Sequence, residues 1–185
     1  MSARSAMITM NNNISLEKFS NLPQGNSVQV TYVWIDGSGQ SLRSKSKTLD
    51  YKPSKLEDIP IWNFKSRPCS LAVDDSDSDT YLHPVRMYAC PFRPVDNILV
   101  LCETCTYEKK PILINVRKTC LEVMQKAKDH QPWFGFEQQY TLLNLHDRHP
   151  LGWPLKGFPR PQGSYYCGVG SGNIYGRDIA EAHYR

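Results

Sequence analysis

The sequence has no long hydrophobic run. Its longest apolar stretch, Ile98 to Cys102, falls far short of the ~20 residues that a membrane-spanning helix requires, so no membrane association is expected. The first fifteen residues contain no apolar run followed by small residues, which argues against a secretory signal. They carry Arg4, several serines and no acid before Glu17, a faint likeness to a transit peptide, and residues 1–21 read as a disordered tail. With no export signal, a cytoplasmic location is expected. The six cysteines (Cys69, Cys90, Cys102, Cys105, Cys120 and Cys167) should then remain thiols. A dense basic face is also missing. The formal charge of +4 comes from scattered Lys and Arg in short groups such as Arg43, Lys45, Lys47 and Lys109, Lys110. Nucleic acid is therefore not expected as a partner.

What is present is enough for a packed interior: 40% hydrophobic and 11% aromatic residues in 185. A chain of this length accommodates one ordinary domain, or a small domain with an incomplete second one. Val28, Val30, Tyr32 and Trp34 alternate with Thr31, Val33 and Ile35, which predicts a strand buried on both faces. Asp36-Gly37-Ser38-Gly39 reverses the chain into a second strand, about Ser41 to Thr48. The stretch from Leu49 to Pro94 holds six prolines and an acidic run, Asp74 to Asp79, and reads mostly as loop. A further strand is expected from Ile98 to Tyr107, with a domain boundary at Glu108-Lys109-Lys110-Pro111. Asn115 is placed to cap a helix over residues 116–129. Residues 134–143 and 165–169 read as strands, 150–163 as an ordered loop, and 175–185 as the start of a helix.

Several small motifs fail on their own terms. Asp75, Asp77 and Asp79 have calcium-loop spacing, but Thr80 stands at the sixth position in place of Gly and Arg86 at the twelfth in place of Glu. Cys102-Glu103-Thr104-Cys105 lies within a predicted strand with no second pair, so buried thiols are expected rather than a zinc or redox site. His146 and His149 flank Asp147 without further assignable ligands, and His83, His130 and His183 stand apart; all read as surface histidines. Gly168-Val169-Gly170 followed by Gly172 lacks both common phosphate-loop patterns.

Longer blocks are more specific. Leu22-Pro23-Gln24-Gly25, Val33-Trp34-Ile35-Asp36-Gly37, Trp62-Asn63-Phe64, Leu99-Val100-Leu101-Cys102-Glu103 and Pro132-Trp133-Phe134-Gly135 resemble successive segments of animal glutamine synthetase. So do Gly152-Trp153-Pro154, Gly157-Phe158-Pro159, Pro161-Gln162-Gly163, residues 165–170 and Tyr175-Gly176-Arg177-Asp178-Ile179, in the family's order. The resemblance implies an α+β fold: a β-grasp N-terminal domain at 22–110, then the first part of the catalytic α+β domain at 111–185. It also implies a double-ring oligomer with sites between neighbouring subunits. The implied ligands are ATP, Mg²⁺ or Mn²⁺, glutamate and ammonia, and the implied reaction passes through γ-glutamyl phosphate. Such phosphoryl transfer depends mainly on positioning and on cations that neutralise phosphate oxygens.

Measured against that family, three departures stand out. The family's Glu-x-Glu falls at Glu137 and Gln139, so Glu137 is the expected metal and ATP contact while an uncharged amide occupies the second ligand position. Hard divalent cations are bound chiefly by anionic oxygen, so weaker metal occupancy is expected. After Trp-Asn-Phe the family has Asp-Gly-Ser-Ser, whose Asp helps to bind ammonium in a neighbour's site; this chain has Lys65-Ser66-Arg67-Pro68. Two like charges at ~4 Å repel by roughly 4 kcal/mol at an effective dielectric near 20. With the sequence ending at Arg185, the family's remaining metal ligands and its substrate-binding arginines are expected to be missing, leaving no complete catalytic set. Three readings follow: a relative inactive alone that docks onto full-length glutamine synthetase subunits through its N-terminal domain; a piece of a longer active chain or a contributor to mixed oligomers; or an independent β-grasp binding module. Lys65 and Gln139 favour the first.

Overall fold

The computed structural model describes residues 22–65, 79–93, 96–112 and 114–184. The expected tail at 1–21, the calcium-like Asp75 and Asp77, and Cys69 all lie outside these residues. Two compact units divide between Pro132 and Trp133.

The first unit is a five-stranded mixed sheet. Strand β1, Val28–Ile35, is rich in the β-branched and aromatic residues that suit a pleated surface. Val28, Val30, Tyr32 and Trp34 are buried on one face and Thr31 on the other, as expected, while Ile35 at the end is 44% exposed. The reversal occurs where the sequence places it. Asp36 Oδ1 accepts the Ser38 amide at 2.9 Å, Asp36 Oδ2 lies 3.1 Å from Arg43 Nε, and Gly39 takes φ +71°. Strand β2, Leu42–Leu49, returns antiparallel, with Val28 opposite Leu49 and Ile35 opposite Leu42.

The proline-rich stretch contains two strands where loop is expected: β3, Trp62–Lys65, and β4, Asp79–Ala89. Pro84 sits at a register shift between Pro84 and Arg86, where a bulge relieves the ladder of the N–H that proline lacks. Strand β5, Ile98–Cys105, pairs parallel to β1 and antiparallel to β4, giving the order β2-β1-β5-β4-β3. The sheet curls so that its two edges meet. The Trp34 ring on β1 lies 4.7 Å from Phe64 on β3, and Lys45 of β2 donates to the Asn63 carbonyl while its ammonium stands 3.5 Å from the Trp62 ring centre. Inside the curl, Val30, Tyr32, Leu82 and Val100 are fully buried. The Tyr32 hydroxyl donates to the Pro60 carbonyl at 2.7 Å, and burial raises its pKa above the phenol's ordinary value.

Helix α1, Val116–Lys126, follows and continues into a 3₁₀ turn, Lys128–His130. Asn115 stands at its N-cap, but the side chain does not cap. Its Nδ2 donates to the Thr104 carbonyl at 3.0 Å, tying the helix entry back to β5.

In the second unit the expected strands at 134–143 and 165–169 do not form. Among the described residues only an isolated bridge, Leu143 to Pro150, appears near the first, and a 3₁₀ turn at Gln162–Ser164 leads into turns at the second. A strand needs a ladder partner, and no other strand lies alongside within this unit. Helix α2, Arg177–Tyr184, forms within the expected 175–185. None of the described residues from 106 onward is buried.

Candidate functional site

Lys65, the residue expected to reverse the charge of an ammonium contact, ends β3 directly opposite Asp79, which begins β4. Its ammonium lies 3.3 Å from Asp79 Oδ1, and Asn63 Nδ2 donates to Asp79 Oδ2 at 2.7 Å. The Asn63 hydrogen bond and then the Lys65 contact hold the Asp79 carboxyl below the usual carboxylate pKa. The lysine charge is therefore answered within the chain, a compensation that sequence reading missed. Asp79 was legible only as part of an acidic run, because the pairing depends on strands β3 and β4 that the prolines conceal. Lys45 and Lys47 stand nearby over Trp62, and desolvation followed by Lys47 lowers the Lys45 pKa.

Glu137 and Gln139 lie in the second unit, exposed, in the segment that reads as a strand but has no ladder partner among the described residues. The alternate residues Phe136, Gln138 and Tyr140 line an open cavity of about 1010 Å³, together with Trp153, Tyr175 and Arg177. Gly176, at φ +69°, also lines it, and an added Cβ there would stand 2.4 Å from Leu142 Cδ1. Among the described residues no group of three His, Cys, Asp or Glu side chains is placed to hold a metal ion. The donors present do not fit the divalent cation that the resemblance implies: one carboxylate and one amide, both in solvent, without a sheet to aim them.

The other candidates behave as structure. Cys102 and Cys105 are buried thiols; desolvation pushes Cys102 up to about 12 and raises Cys105 as well. His146 and His149 donate their backbone amides to Asn144 Oδ1 at 3.0 Å and Asp147 Oδ1 at 2.9 Å, which makes the segment a tight turn. In the glycine-rich segment, Arg160 Nη2 donates to the Gly172 carbonyl and to Asn173 Oδ1, both at 2.9 Å, so a side chain of this unit already fills the bend.

No protein-family model matches the chain. Curated relatives do. Glutamine synthetase 2 cytoplasmic of Drosophila melanogaster is 53% identical over 175 residues, 94% of this chain and 47% of its own length. Glutamine synthetase of Panulirus argus is 55% identical over 157 residues, 85% of this chain and 43% of its own. The human enzyme is 51% identical over 167 residues, 90% of this chain and 44% of its own. The chain thus spans about half the length of the curated relatives it matches. A Plasmodium falciparum glutamine synthetase structure aligns over 63% of this chain and 23% of its own at TM-score 0.37 and 14% identity, too loose a likeness to carry a fold argument.

Proposed function

This chain belongs to the glutamine synthetase family, and from that premise we propose that it completes no ligation alone and acts by docking onto full-length glutamine synthetase subunits through its N-terminal sheet. We further assign residues 22–110 to a β-grasp domain and 111–185 to a partial catalytic domain. The mixed sheet, with β1 parallel to β5 and an antiparallel hairpin at one edge, supports the first assignment. We also propose a cytoplasmic location, the one that the name of the Drosophila relative carries.

The observation that carries the proposal is the pair Glu137 and Gln139. A metal that holds ATP phosphates needs anionic oxygens in fixed positions. Here the second oxygen belongs to an uncharged amide, and among the described residues the backbone bearing both side chains is unpaired. ATP and Mg²⁺ or Mn²⁺ remain the family's expected cofactors, with glutamate and ammonia as its substrates. Lys65 points the same way. Where the family has an acid, this chain has a cation that spends its charge on Asp79.

The independent-module reading draws on one specific observation, that every buried described residue lies between Val28 and Cys105. One experiment separates the readings. Residues 1–185 are purified alone and together with the full-length Drosophila relative, and particle mass is measured beside ATP-dependent glutamine formation. Docking predicts co-assembly, with no turnover from the chain alone. Turnover by the chain alone overturns the proposal, and a stable monomer that ignores the relative favours the module.

A further inference from the structure

We propose that the outer face of the first unit's sheet holds a binding site for a small organic monocarboxylate, its apolar body seated among Val33, Leu42, Phe92 and Leu99 and its carboxylate on Arg93. The inference rests on neither the docking role nor the missing ligation chemistry.

The sheet itself builds the apolar wall. Successive side chains of a strand point to opposite faces, so with Val30, Tyr32 and Trp34 turned into the core, Thr31 and Val33 are turned away from it. Their cross-strand partners are Ser46 and Ser44 on β2, and Thr31 also stands beside Leu99 on β5. The segment joining β4 to β5 closes the remaining side. The Cys90 amide donates to the Asn97 carbonyl at 2.8 Å, which pins the base of the loop that carries Phe92 and Arg93. Together these residues line a cavity of about 340 Å³, within the range that small ligands occupy. Leu42 and Phe92 remain 66% and 80% exposed, apolar surface that an occupant would cover.

Charge decides the ligand class. Arg93 Nη1 donates to Thr31 Oγ1 at 2.7 Å and reaches Ser46 Oγ at 3.4 Å, and the two hydroxyl oxygens lie 2.9 Å apart. These contacts fix the guanidinium at one end of the apolar wall but supply no negative charge. Among the described residues Arg93 meets no carboxylate, and its Nε and Nη2 have no partner. Arg43 lines the same cavity, but its Nε lies 3.1 Å from Asp36 Oδ2, so its charge is already answered. One uncompensated guanidinium, with donors to spare in a planar fork, matches one carboxylate. A phosphate monoester would bring a second negative charge that nothing here meets.

Cys90, half-buried in the cavity wall, reports occupancy in the full chain through its rate of alkylation by iodoacetamide, read by mass spectrometry. The probe is 4-phenylbutyrate, with 4-phenylbutan-1-ol and acetate as the controls that each lack one half of it. The concentration of 4-phenylbutyrate that halves Cys90 alkylation should be at least about tenfold lower than that of either control, as expected for a hydrogen bond to a charged group added to apolar burial. Alkylation of the exposed Cys120 and Cys167 should not change. Arg93→Gln should reduce the carboxylate to the level of the alcohol. Leu42→Glu, at an exposed strand end, puts a like charge in the apolar wall and should abolish protection. Amide exchange over Val28–Cys105 equal to the parent's shows that each variant is folded. Absence of protection by 4-phenylbutyrate overturns the proposal, as does equal protection by the alcohol or equal slowing at Cys120. Tighter protection by phenyl phosphate overturns the assigned ligand class. Failure of this test leaves the docking proposal untouched, since that is read by particle mass.

Discussion

Lys65 and Asp79 show how a single residue pair bears on the functional reading. A lysine free in solution repels ammonium; one held 3.3 Å from a carboxylate, itself braced by Asn63, presents a dipole instead. The Asp79 pKa is depressed, so the folded state favours its ionised form. That contribution to stability is present above the ordinary value of 3.8 and is lost as pH falls through the depressed one. Urea midpoints measured between pH 5 and 2 should therefore fall less steeply for Asp79→Asn than for the parent. Some slope should persist, because Asp36 and Asp58 are depressed in the same direction. Identical slopes would show that the pair does not form in solution. The cysteines sort just as sharply. Iodoacetamide at pH 8 should label the exposed Cys120 and Cys167 in the native chain and spare Cys102 and Cys105 until denaturant is added, as read by mass spectrometry.

At the scale of elements, the interior depends on a few side chains. Leu82→Ala, at a fully buried position of β4, should cost about 2–5 kcal/mol in urea unfolding, whereas Leu155→Ala, at a side chain 89% exposed, should stay within about 0.5 kcal/mol. Equal costs would place the core elsewhere. The elements that sequence reading found are those whose determinants are local: β1 by its unbroken β-branched and aromatic run, the turn by Asp36 and Gly39, α1 by its helical spacing. Those it missed depend on neighbours. Strand β4 is hidden by Pro84, which only a bulge makes tolerable, and β3 is too short to carry a pattern. Residues 134–143 have the alternation of a strand, yet alternation describes which face is apolar and not whether a partner is present. Asn115 has the right type for a cap, but the Thr104 carbonyl competes successfully for its amide. The candidate site was legible in the same uneven way: Glu137, Gln139 and Lys65 can be found by position, but their surroundings cannot.

For the molecule as a whole, apolar residues are spread along the chain but burial is not. Trp34 and Phe64 pack inside the curled sheet, while Trp133, Phe136, Leu155 and Phe158 stand in solvent. Hydrophobic burial is the main favourable term in folding, so a unit without it contributes little stability of its own. The central claim is that the stability of this chain rests on one sheet, to which residues 133–184, none of them buried, add little. Amide hydrogen exchange on the free chain tests it most directly. The account predicts slow exchange in β1, β4 and β5, with residues 133–184 exchanging close to the rate of an unstructured peptide; protection in 133–184 comparable to that in β1 would contradict it.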